Sequence, residues 1–233
     1  ETLSVMFLYA AVALFLYRRT PAVSWSVSLG ILLLFGAAVT TKEHTAALPG
    51  VLLLTDYYFS PGARWEDIRR NWRLYLPIAV AGVVALRFVR NVLRLSDSAG
   101  FGLTDFGWYQ YFYTQCRAIW VYIRLFFLPY GQRLEYDTPI SRTLLEHGAI
   151  LGLAGLLGLV VAAICCRRRY PLASYGLLVF LLLLAPTSSV VPIADPIAER
   201  RLYLPMIGLL LVAVEFLRRV KIGRRALAGS LAG

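Results

Sequence analysis

The sequence predicts an all-α, polytopic helical membrane protein with about seven spans plus one interfacial or re-entrant helix. Three observations carry that prediction. Apolar residues make up 59% of the 233-residue chain, well above ordinary globular usage. They gather into eight runs rather than scattering. The basic residues gather into short clusters between those runs.

The first run, 5–17, ends at Arg18 and Arg19. The second, 25–39, is followed by the connection Thr41-Lys42-Glu43-His44, and the third, 46–59, follows at once. Arg64, Arg69, Arg70 and Arg73 then precede the fourth run, 74–86. A long segment, 87–148, contains the fifth run, 111–129. Runs at 149–166, 172–186 and 204–217 complete the set. Several are shorter than the ~20 residues of a straight span, which snorkelling arginines and neighbouring helices can offset.

Four clusters hold 14 of the 24 basic residues: Arg18/Arg19; Arg64/Arg69/Arg70/Arg73; Arg167–Arg169; and Arg218/Arg219/Lys221/Arg224/Arg225. Only four of the 13 acids, Asp56, Glu66, Asp67 and Glu215, lie near them. The positive-inside rule assigns this side to the cytoplasm and turns 40–45, 87–148 and 187–203 outward. Eight crossings break that parity, so 111–129 is expected not to cross. Arg117 and Arg124 lie seven apart on one face of it among aromatic residues, which suits the outer interface or a re-entrant path. Residues 1–217 are thus one partial membrane module and 218–233 a basic cytoplasmic tail. The expected location is a multi-pass position in the bacterial inner membrane.

Composition also excludes classes. The formal charge of +11 is divided among short loops, so no nucleic-acid partner is expected. Cys116, Cys165 and Cys166 have no metal spacing, and two histidines are too few for a metal centre. No cofactor is expected, and the need for a divalent metal is open. Nucleophile-elbow, zincin, Walker and dinucleotide patterns are absent. The chain opens without Met directly on an apolar run, which reads as a piece of a longer protein.

The densest charge cluster lies at PIADPIAERRLYLP, 192–205. Asp195-Pro196 has the form of an N-cap with proline at the first helical position, so a helix is expected from Pro196 into the last run, kinked near Pro205. Glu199 would sit over its first turn, and Arg200 and Arg201 at its start would attract an anion. A cap with one internal ion pair is the competing reading. Lys42 and Glu43 either pair with each other or line a cavity. Arg87, Arg90 and Arg94 form a stripe at i, i+3 and i+7. Asp137, in the loop 128–149, is the candidate general base within the chain.

Three blocks in order, TKEHTAALPGVLLLTDYYF, QCRAIWVYIRLFFLPYGQRLEYDTPIS and VVPIADPIAERRLYLP, resemble the membrane module of the transmembrane and tetratricopeptide-repeat O-mannosyltransferase family and its bacterial relatives. The resemblance covers roughly residues 30–217. It implies a GT-C-like architecture, a polyprenyl-phosphate sugar donor, an extracytoplasmic protein or glycan acceptor, and inversion at the sugar carbon. It implies that Lys42, Arg117, Arg124, Arg200 and Arg201 steady the donor phosphate. Glu43, Asp195 and Glu199 would shape the site, and Tyr203 would stack near the lipid–sugar junction. The class carries its acidic catalytic motif in a first extracytoplasmic loop that has no counterpart here, so the catalytic group is expected upstream of residue 1. An O-antigen ligase or polymerase, and a non-catalytic scaffold that binds lipid phosphate, fit the same charges.

Overall fold

The computed structural model describes residues 2–17, 22–59, 65–95, 106–133, 136 and 138–219. These residues are helical, with no strand among them: α1 (Thr2–Tyr17), α2 (Trp25–Thr41), α3 (Leu48–Phe59), α4 (Trp65–Arg70), α5 (Trp72–Leu95), α6 (Trp108–Phe127), α7 (Ala149–Cys166), α8 (Pro171–Leu184) and α9 (Met206–Leu217). Short 3-10 turns at Glu43–Ala47, Glu146–Gly148 and Glu199–Leu202 join some of them.

Helix boundaries follow local chemistry. Ser24 caps α2 by accepting from the Val27 amide at 3.4 Å. The Gln110 side chain accepts the Gly107 amide at 2.9 Å and closes the start of α6. Pro171 occupies the first turn of α8, where its missing N–H costs nothing.

The expectation of about seven spans is corrected here. Among the described residues one helix, Glu146–Cys166, is long and apolar enough to cross a membrane by length and composition. Thr2–Tyr17, Trp25–Thr41, Trp72–Val84, Pro171–Leu184 and Met206–Leu217 are apolar but run only 10–17 residues. That is short of the ~20 a straight span needs. A multi-pass location is therefore not supported. Prolines, 3-10 turns and polar residues divide the apolar sequence into shorter helices.

The run 111–129 is the middle and end of α6, a 20-residue helix with one buried stripe: Tyr111, Thr114, Gln115, Cys116, Ala118, Ile119, Tyr122 and Leu125. It packs on α7 and α9. α8 and α9 form the closest pair. A Cβ on Gly176 would collide with the Gly208 carbonyl oxygen, and one on Gly208 with that of Gly176.

The bundle has two chemically different ends. At one, Arg167, Arg169, Arg218 and Arg219 gather near the ends of α3, α7 and α9. Arg167 donates to the Tyr57 hydroxyl and Arg219 to the Arg169 carbonyl. The buried Glu215 takes Arg219 at 2.6 Å and Arg218 at 3.8 Å. Close by, buried Asp56 accepts from Asn71 Nδ2 at 2.8 Å and from the Tyr75 hydroxyl at 3.0 Å, tying α3 to the start of α5. The tail from 220 lies outside the described residues.

Candidate functional site

At the other end, the C-termini of α2 and α8 meet the N-termini of α1 and α9. Between them lies a cavity of about 130 Å³. Lys42 and His44 line it from the α2 side, Thr187, Ile193, Arg200 and Arg201 from the segment after α8, and Tyr203 from the turn before α9. Val5, Leu183, Leu204 and Pro205 supply apolar walls.

The segment that carries the arginines is not the helix expected from its Asp-Pro pair. Residues 187–198 are irregular, and the first helical turn is the 3-10 piece beginning at Glu199. Ala198 before it is extended (φ −141°, ψ 119°), and α9 starts after Pro205, which is its N-cap rather than an internal kink. Tertiary contacts outweigh the cap signal. Ile197 and Ala198 are buried, and the Ala198 amide donates to the Tyr122 hydroxyl at 3.1 Å. Gln115 Nε2 donates to the Pro196 carbonyl at 2.7 Å.

The charged residues expected to act together divide their work. Arg201 is a clamp. Its Nη2 donates to the Asp195 carbonyl at 2.6 Å, and its Nη1 reaches the Pro196 carbonyl and the Tyr111 hydroxyl, both at 3.2 Å, and the Thr187 carbonyl at 3.5 Å. Arg117 is a second clamp, donating to the Pro139 carbonyl at 3.2 Å and Ser141 Oγ at 3.0 Å. Burial pushes its pKa down. Arg200 is different: it holds only the exposed Asp195 carboxylate, at 3.4 Å, a weak surface pair. Lys42 is half-buried and its ammonium has no hydrogen-bond or ion-pair partner among the described residues. Arg124 is exposed and lies over the Tyr130 ring at 5.6 Å, outside the cavity.

Glu199 does not sit over Asp195. Its Oε1 accepts the Tyr136 hydroxyl at 2.6 Å and the Arg133 amide at 2.8 Å, fastening the segment after α6 to the rim. Burial, then the bond to Glu199 and its charge, raise the Tyr136 pKa. Burial pushes Tyr111 up to about 12, with the Arg201 charge opposing and the Tyr122 neighbour adding to the rise.

The rim thus brings Lys42, Arg200, Arg201 and Tyr203 to one cavity, and ties Asp195 and Glu199 to its edge. Arg117 and Arg124 line a neighbouring face instead. Asp137 and the Glu43 side chain lie outside the described residues, as do the side chains of Arg90 and Arg94, while Arg87 is exposed. No group of three or more His, Cys, Asp or Glu able to hold a metal occurs among the described residues. Sequence reasoning missed His44, Tyr111, Gln115, Tyr122 and Tyr136. A signal existed for Tyr111, Gln115 and Tyr122, which repeat at helical spacing on the face of α6 that buries apolar residues.

No protein-family model, no curated protein and no solved structure matches the chain.

Proposed function

We propose that the rim cavity holds the phosphate of a polyprenyl-phosphate sugar, and that the chain is part of a glycosyltransferase passing that sugar to an extracytoplasmic hydroxyl. One observation carries the reading. Three cations from two separate segments, Lys42, Arg200 and Arg201, line one small cavity, and no described side chain lining it is a carboxylate. Three cations against partly apolar walls, opposed only by the exposed Asp195 carboxylate on Arg200, suit an amphiphile with a phosphate head. Two of them are also free to move onto a ligand, while the third is held by protein acceptors and contributes fixed charge.

The chemistry follows. As the bond from sugar to phosphate breaks, negative charge grows on the leaving phosphate. Arg201, already held in place, stabilises that charge without having to reorganise, while Lys42 and Arg200 close onto the phosphate oxygens. Tyr203 lies at the cavity edge, where its ring can cover the junction of lipid and sugar.

The test is binding of a radiolabelled polyprenyl-phosphate hexose, followed by transfer of the label to a peptide rich in Ser and Thr. Lys42→Ala and Arg200→Ala should each weaken binding about tenfold, the scale of one charge-assisted contact, with thermal stability unchanged. Wild-type binding by both variants would remove the reading. A strong preference for the pyrophosphate lipid would move it to the ligase-like class.

A further inference from the structure

A second cavity, of about 390 Å³, adjoins the first and shares Arg200 and Tyr203 with it. Its chemistry is different. Glu199 and Gln132 bring a carboxylate and a carboxamide, and Leu125, Leu202 and Met206 supply apolar wall. Glu199 is held in place through one oxygen only, Oε1, by the Tyr136 hydroxyl and the Arg133 amide. Its Oε2 has no hydrogen-bond partner among the described residues. Gln132 is exposed and makes no hydrogen bond through its side chain among the described residues.

We infer that this second cavity is a subsite for a polyhydroxylated ligand, a hexopyranose, with Glu199 Oε2 and the Gln132 carboxamide binding its hydroxyls. An ionised carboxylate accepts hydroxyl protons, whereas a carboxamide both donates and accepts, so the pair can hold two neighbouring hydroxyls of one ring. Tyr203 supplies an aromatic surface for the apolar face of the sugar. A few convergent polar groups on an otherwise apolar wall is the usual construction of a small-molecule pocket. Glu199, half-buried at the start of its 3-10 turn, is oriented before any ligand arrives. Its two donors leave one oxygen aimed away from them and spare the entropy of ordering the carboxylate when the ligand arrives. The shared Arg200 places the subsite next to the phosphate cavity, so one sugar phosphate can span both. That last relation rests on the proposed function; the hydroxyl subsite itself does not.

The experiment compares three ligands on the intact chain: bare polyprenyl monophosphate, polyprenyl-phosphate hexose, and a soluble methyl hexopyranoside. Wild-type protein should bind the sugar-bearing lipid about tenfold more tightly than the bare lipid, the scale of one or two such hydrogen bonds. Glu199→Gln keeps a carbonyl oxygen for Tyr136 and Arg133 but replaces the free acceptor with a donor. Gln132→Ala has no internal bond to lose. Both should abolish the sugar-dependent gain and leave bare-lipid binding and thermal stability unchanged. Equal binding of the two lipids by wild type, or a gain that survives in both variants, overturns the subsite and leaves the phosphate reading standing. If wild type binds no bare lipid, the phosphate reading falls. The methyl hexopyranoside then decides the subsite alone: binding lost in Gln132→Ala supports it, and no binding overturns it.

Discussion

Arg200 and Arg201 are adjacent and chemically identical, yet their surroundings give them opposite tasks. Arg201 donates to three carbonyls and a tyrosine hydroxyl, while Arg200 meets one exposed carboxylate. Arg201→Ala should therefore cost about 1–2 kcal/mol of stability: it removes a fork that ties the segment to α6, while the Pro196 and Thr187 carbonyls keep Gln115 and the Tyr111 hydroxyl as donors. Arg201→Lys should recover little of it, since one ammonium cannot reproduce a planar fork. Thermal unfolding checks both, and wild-type stability in Arg201→Ala would show the clamp to be idle. Because Arg201 holds the fold, Lys42 and Arg200 are the variants that test the proposed phosphate site. Tyr111 adds a pH dependence at the same place. Its folded pKa of about 12 lies above the ordinary value of 10, so its contribution is complete below pH ~10. That contribution is lost as pH rises toward 12, on the order of 2 kcal/mol. Tyr111→Phe should flatten that part of the alkaline unfolding profile.

At the scale of elements, the tightest constraint is the crossing of α8 and α9. Each glycine faces the other's backbone carbonyl, which cannot swing aside as a side chain would. Gly208→Val should cost about 3 kcal/mol, the upper end of ordinary overpacking. Gly82→Ala is the control, because nothing lies within 4 Å of the Cβ it would add. It should be neutral or slightly stabilising, as alanine is the better helix former. Equal melting temperatures for the two variants would show that α8 and α9 do not meet there. The Asp195-Pro196 cap signal failed at this same scale. A cap contributes about 1 kcal/mol. Burying Ile197 and Ala198 and bonding Gln115 and Tyr122 to the segment offset more than that. By contrast, α6 was legible as a helix, because its polar and aromatic residues recur on faces that period 3.6 reveals.

For the whole molecule, the segment Glu146–Cys166 carries the membrane question. Its continuous helical part, α7, is 18 residues, or about 27 Å, close to the thickness of a hydrocarbon core. Leu151, Leu157 and Val161 on it are strongly exposed. Leu157→Arg with Val161→Arg should move the chain out of the vesicle-bound fraction in flotation, because each midplane arginine costs about 2.5–3.5 kcal/mol. Unchanged flotation would show that α7 is not what holds the chain.

The sequence by itself determined the helical class and the separation of basic clusters from the mixed-charge segments. These depend on composition, prolines and short-range periodicity, which act within one or two turns. It overstated the number of spans, because a run of apolar letters does not say where turns divide it. It named Lys42, Arg200, Arg201 and Tyr203, but could not say which cations were already in use. Only the tertiary structure decided that. Whether an arginine is free depends on carbonyls and hydroxyls as far as 90 residues away in sequence, as between Arg201 and Tyr111. Such distances are set by packing, not by local spacing.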